Sequence, residues 1–342
     1  MKKLLLPLCA LALTGCGPSE PQDKLHLYIW ADYLKPELIT RFETENRCRV
    51  VLDTFDSNES MYAKLKAGAG GYDIAVPSSY MVKLMAQQDM LATFDRAQLP
   101  NLQHIDPDVL AMIHNREMNH SAPYAIGHTV IAYRKDRHPN LDATWATFDL
   151  PALKGRTTLL DDMRETLGAA LKQLGHSINT RDEAQLAAAR DLAIRWKRNS
   201  AKFENEQYKG GIDSGEFDAV MGYSGDLFQV VSENDKIGIL VPREGVTMAC
   251  DEFVILKTAP RSDLAHKFIN FLHDPAVAAE NMEWMGYLMP NTEAKKLMGK
   301  EFLEHPAIHL PKDVLPKSEV IEDLGADLAK FTKVWDEVKA GE

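Results

Sequence analysis

A run of acids stands where a strand gives way to a helix: Asp161-Asp162-Met163-Arg164-Glu165 follows the β-branched and apolar Thr157-Thr158-Leu159-Leu160. Residues 157–160 read as a buried strand and 165–174 as a helix, so the acids fall at a strand's carboxyl end. That rim is where open α/β sheets bind ligands. Asp161 or Asp162 suits the helix N-cap, and Glu165 in the first turn suits the helix dipole. Capping uses one acid, and the surplus suits a cation held by charge-assisted hydrogen bonds. Aromatic rings beside polar groups recur at two other strand ends, with Trp30, Asp32 and Tyr33 after one and Ser78 and Tyr80 after the next. Rings facing a cation contribute roughly 0.5–2 kcal/mol each. The competing chemistry is enzymatic, with Asp162 and Glu165 as an acid/base pair or Cys250 beside Asp251 as an activated nucleophile. No Gly-x-Ser-x-Gly, Walker A or zinc-protease helix motif accompanies either. His305 and His309 have i,i+4 spacing, but Pro306 opposes a helix there, so no metal or cofactor is expected.

The elements that must position these side chains begin with an alternating strand over 25–30 and a helix over 36–45 opened by Pro36, with Leu38, Ile39 and Phe42 on one face. A strand over 49–55, a helix over 58–66, a strand over 72–76 and a further helix after Ser78 complete a wound α/β lobe. Residues 124–133 read as a long extended crossing broken at Gly127. Beyond the acid-bearing strand, a long helix over 181–197 repeats Leu186, Ala189, Leu192, Ala193 and Trp196 on one face. A strand over 217–223 ends at Tyr223-Ser224-Gly225-Asp226, and another spans 237–241. Residues 247–256 form a second crossing with Asp251 at its middle. Later helices are expected over 264–272, 276–284 and 318–338, with Tyr287 in the turn after Trp284.

At the amino terminus Lys2 and Lys3 precede the apolar run 4–13 and then Leu13-Thr14-Gly15-Cys16. A basic flank, an apolar run too short for a bilayer and small residues before a cysteine describe a lipoprotein signal over 1–15, with Cys16 lipidated. Residues 16–24, rich in Gly, Pro, Ser and Gln, read as a tether. Of the four cysteines only Cys48 and Cys250 remain, and burial as small apolar residues is the expectation, with pairing as the alternative. The 342 residues, 45% hydrophobic and 26% charged, suit two lobes, and the net charge of -11 repels nucleic acid and favours cationic ligands.

The residues resemble the extracytoplasmic spermidine/putrescine-binding proteins of bacterial ABC importers. The resemblance spans nearly the whole chain beyond the signal. It is sharpest in Tyr28-Ile29-Trp30-Ala31-Asp32-Tyr33, in 57–66, in 72–78, in 160–165 and in Gly286-Tyr287-Leu288-Met289-Pro290-Asn291. It implies an α/β, two-lobed periplasmic-binding-protein-like fold of type II with crossing strands. The lobes expected from it are 25–126 with 252–293, and 127–251 with 294–342. Carried over by position, Trp30, Asp32, Tyr33, Ser78 and Tyr80 form one wall of the ligand site. Asp162, Glu165 and Tyr223 form the other, and Asp251 and Tyr287 lie near the junction. The implied partners are a polyamine and a membrane ABC permease, for a monomer held to the membrane by its lipid alone. Sensing through a membrane signalling protein is the alternative role. This chain has Ala249 and Tyr223 where such proteins often carry Trp, and Ile321 near a position that is often Gln.

Overall fold

The computed structural model describes residues 23–341. The expected signal over 1–15 and the lipidation of Cys16 lie outside the described residues. Ten strands lie among those described: β1 (Asp23–Trp30), β2 (Cys48–Phe55), β3 (Ile74–Ala75), β4 (Ser121–Arg134), β5 (Thr157–Leu159), β6 (Lys202–Phe203), β7 (Ala219–Tyr223), β8 (Ile237–Leu240), β9 (Thr247–Ile255) and β10 (Glu319–Val320). Of the tether read over 16–24, Asp23 and Lys24 belong to β1 and pair with Cys48 and Arg49, and 16–22 lie outside the described residues.

Parallel strands need helical crossovers, and these build each lobe. On one side β1 pairs in parallel with β2 and with β3. On the other β5 pairs in parallel with β6 and β7. The path β2-β1-β3-β9-β4-β7-β5-β6 is continuous because β4 and β9 belong to both sides. The amino-terminal half of β4 pairs antiparallel with β9, and Thr129 to Tyr133 pairs with β7. These two are the crossing strands.

Two main cores flank the crossing. The first gathers Leu25, Leu27, Phe42, Ile74, Phe253 and Phe268, and the second Leu159, Leu171, Trp196, Ala219, Val220 and Phe331. The helix Glu183–Asn199 buries Leu186, Ala189, Leu192, Ala193 and Trp196, the face given by its 3.6-residue period. Each such large side chain contributes roughly 1.5–3 kcal/mol on burial. Cys48 and Cys250 are both buried in the first core.

Two expectations change. The helix expected over 318–338 is a helix only at Leu328–Ala340. Its first residues are captured by a sheet edge: β10 lies parallel to β9, with Glu319 N–H donating to Val246 O at 3.1 Å and Ile321 N–H to Met248 O at 3.0 Å. Gly325, at φ 56, sits in the bend that follows. For the return to the second lobe, expected at 294, core membership favours a later position. Ala294, Phe302 and Ile308 pack into the first core, and Leu310 is the first residue after them in the second. We accordingly propose lobes of 25–126 with 252–308 and of 127–251 with 310–341.

Candidate ligand-binding site

The carboxyl ends of the parallel strands from both lobes face one cavity of about 210 Å³. Trp30 ends β1, and Asp32 and Tyr33 follow it. Phe55 ends β2, and Ser78 and Tyr80 follow β3. From the second lobe come Asp162 and Glu165 after β5, and Tyr223 and Asp226 at the end of β7. Asp251 lies on β9 and Tyr287 follows the helix Pro275–Met285. All ten residues singled out from the sequence line this cavity, as do Ala249 and Ile321. Asp161 does not: its carboxylate turns outward to Lys339 Nζ at 2.6 Å.

Asp162 is the N-cap of the helix Met163–Gln173, its Oδ1 accepting from Arg164 N–H at 2.9 Å and Glu165 N–H at 3.1 Å. Capping thus occupies one oxygen, while Oδ2 faces the Tyr223 hydroxyl at 3.4 Å. Glu165 Oε2 accepts from the hydroxyls of Thr129 on β4, at 2.6 Å, and Thr247 on β9. Asp251 accepts from Ser78 Oγ at 2.6 Å and Tyr33 Oη at 2.8 Å. Ser78 is itself held by Asn58, whose Oδ1 accepts its N–H and whose Nδ2 donates to its Oγ.

The rings stand close around these acids. Trp30 packs on Phe55 with centroids 4.4 Å apart, and Tyr33 on Tyr287 at 4.9 Å. Tyr287 needs a glycine opposite it, since a Cβ on Gly225 would fall 2.1 Å from its Cδ2.

Seven carboxylates line the cavity against one lysine, one arginine and one histidine. Burial pushes Glu165 up to about 7, with Asp162 adding to the shift and the two threonine hydroxyls opposing it. Burial likewise raises Asp251 to about 6 against the hydrogen bonds from Ser78 and Tyr33. Asp162 is raised by burial against the backbone N–H groups that it caps. His128 is pushed down to about 4, chiefly by burial, so it is neutral near pH 7 and adds no positive charge. A site with this balance favours a cation, because an ammonium stabilises every ionised carboxylate it approaches.

The polar lining residues not singled out as site residues from the sequence include Asp226, Arg164 and Lys209, beside Asp56, Asn58, His128, Asn205 and Glu206. Asp226 had the signal that found Asp162, an acid just beyond a strand's end. Arg164 lies between Asp162 and Glu165, and its Nη atoms bond Glu322 O and Asn179 Oδ1. Lys209 comes from the short helix Tyr208–Ser214 and carried no local signal.

Two α/β lobes joined by crossing strands and enclosing an acidic, ring-lined cavity define a binding protein for a small ligand. The chain belongs to the bacterial extracellular solute-binding protein family, whose defining pattern matches residues 37–309. It is 32% identical to the spermidine/putrescine-binding periplasmic protein 1 of Haemophilus influenzae, over 97% of this chain and 96% of that one. It is 31% identical to the putrescine/cadaverine-binding protein of Pseudomonas aeruginosa, over 99% of each. The crystal structure of the TpPotD lipoprotein of Treponema pallidum superposes with a TM-score of 0.82 at 35% identity, covering 92% of this chain and 99% of that one. No helix among the described residues is long and apolar enough to cross a membrane.

Proposed function

We propose that the protein captures an aliphatic polyamine of the putrescine and spermidine class between its lobes and delivers it to an ABC permease. The observation that carries this is Asp251, a buried carboxylate at the lobe junction whose protein partners are two neutral hydroxyls. A ligand ammonium supplies the countercharge that a buried carboxylate needs. Asp162 and Glu165 offer a second acidic position. Trp30, Tyr33, Tyr80, Tyr223 and Tyr287 give the methylenes an apolar wall, and Ser78 holds Asp251 in place. Charge-assisted hydrogen bonds net roughly 1.5–3 kcal/mol each, so three carboxylates plus ring contacts support the about 8 kcal/mol of a micromolar complex.

The names of the relatives support the ligand class, and the periplasmic ones support a place outside the cytoplasm. The transport role is supported by a solved structure titled a "putative spermidine/putrescine ABC transporter" from Listeria monocytogenes, 35% identical with a TM-score of 0.85. No covalent step is required. Burial raises the Cys250 thiol well above its usual range, the opposite of what a nucleophile needs. Calorimetry of the ligand-stripped protein against putrescine, cadaverine, spermidine, spermine and agmatine tests the reading. Micromolar or tighter binding of at least one amine is expected, and no heat from any of them would sink it.

The same reading has the protein monomeric and anchored by lipid on Cys16. Cys16→Ser is expected to abolish labelling by radioactive palmitate and to release the protein from membranes while leaving amine affinity unchanged. Equal labelling of variant and parent would refute the anchor.

A further inference from the structure

Lys209 lines the cavity and reaches across it. Its Nζ stands 2.5 Å from Asp32 Oδ2 on the first lobe and 3.9 Å from Asp226 Oδ1 on its own. Two tyrosine hydroxyls hold Asp226 in place. Tyr208, one position before Lys209, donates its hydroxyl to Asp226 Oδ2 at 2.5 Å, and the Tyr287 hydroxyl is 3.3 Å from Asp226 Oδ1. Asp32 occupies a left-handed turn position, φ 54, two residues beyond the end of β1. The Lys209 side chain is only 23% exposed. Burial works against its charge, but Asp226 and then Asp32 outweigh it and the amine is raised above its ordinary value. It is an ammonium across the physiological range.

Three other acids of the cavity have neutral donors. Asp251 is held by Ser78 and Tyr33, Glu165 by two threonine hydroxyls, and Asp162 by backbone N–H groups. The guanidinium hydrogen bonds of Arg164 go to a backbone carbonyl and an asparagine. The cavity therefore divides into an acid pair joined directly to a protein ammonium and three acids whose hydrogen bonds come from neutral donors, two of which, Asp162 and Glu165, feel the Arg164 charge only at a distance.

We propose that Lys209 sets specificity: its ammonium takes the position between Asp32 and Asp226 that a third ligand ammonium would take, so the site prefers diamines to triamines. This rests on the amine-binding reading above. A diamine places its two charges at Asp251 and at Asp162 with Glu165. The third charge of a triamine meets a like charge instead of two free carboxylates, and accommodating it requires breaking the contact between Lys209 and Asp32.

Titration calorimetry with putrescine and spermidine on the parent, Lys209→Gln and Lys209→Arg decides the matter. The parent is expected to bind putrescine at least tenfold more tightly than spermidine. Lys209→Gln frees both carboxylates and should shift the ratio at least tenfold toward spermidine, whereas Lys209→Arg should keep the parental order. A folded Lys209→Gln protein with a ratio within threefold of the parent's overturns the proposal. Equal weakening of both amines does the same, since it would make Lys209 a brace for the closed lobes. If Lys209→Gln does not fold, Lys209→Met repeats the test, and a parent that prefers spermidine is decisive alone. A parent that binds no amine overturns the amine reading and this proposal with it. One that binds amines with spermidine first overturns this proposal only.

Discussion

Replacing Asp251 with Asn is expected to weaken amine binding at least a hundredfold while barely moving the melting temperature of the unliganded protein. The carboxylate is 8% exposed and takes hydrogen bonds from Ser78 and Tyr33. Breaking a buried charge pair by removing one partner costs on the order of 3–5 kcal/mol, and a hundredfold corresponds to about 2.7 kcal/mol. The unliganded protein has little to lose, because burial already disfavours the charge of this carboxyl and raises it to about 6. An amide of the same shape keeps an acceptor for one of the two hydroxyls. The ligand-induced rise in melting temperature, which follows affinity, should largely vanish. Paired melting curves and titrations of parent and Asp251→Asn check this. If Asp251 only braced β9 against the first lobe, unliganded stability would fall and affinity would hold. Affinity within about threefold of the parent, roughly 0.7 kcal/mol, would falsify the contact.

What could be read from the sequence was mostly local. The alternation over 25–30, the apolar face of 183–199 and the acids after 157–160 are set by periods and caps that one chain segment carries by itself. The wall residues were legible for the same reason, since strand ends of a wound sheet converge on one rim. What failed depended on distant partners. Glu319 and Val320 lie in a segment read as helical, but the edge of β9, some seventy positions earlier, offers them a strand's hydrogen bonds. Residues 294–308 have no composition that distinguishes one lobe from the other, and it is the burial of Ala294, Phe302 and Ile308 in the first core that supports placing them there. Lys209 is a single lysine beside a tyrosine, and its partner Asp32 is 177 residues away. A long-range ion pair leaves no period to find.

Acidification from pH 8 to pH 5 is expected to lower putrescine affinity at least a hundredfold. Amine and protons compete for the same carboxylates, and in the folded cavity burial raises Glu165 to about 7 and Asp251 to about 6. Both values lie above the ordinary figures of about 4.3 for Glu and 3.9 for Asp. At pH 5 a group with pKa 7 is about one hundredth ionised, so that single site accounts for up to a hundredfold. The ligand does not titrate in this window, since aliphatic amines like the lysine side chain lose their protons near about 10.4. His128, held near 4, stays neutral through most of it. Stability of the unliganded protein should move the other way. Between the unfolded and folded values the folded protein holds more protons than the unfolded chain, so stability is greatest below about pH 4 from these groups and declines as pH rises toward 7. Each group contributes up to about 1.4 kcal/mol per pH unit in that window. Saturating putrescine should cancel this decline, because the bound ammonium keeps the carboxylates ionised and removes the proton uptake. Titrations at constant ionic strength at pH 5, 6, 7 and 8, with melting curves at each, measure both trends. An affinity constant within threefold across the range would show that these carboxylates do not face the ligand's charge.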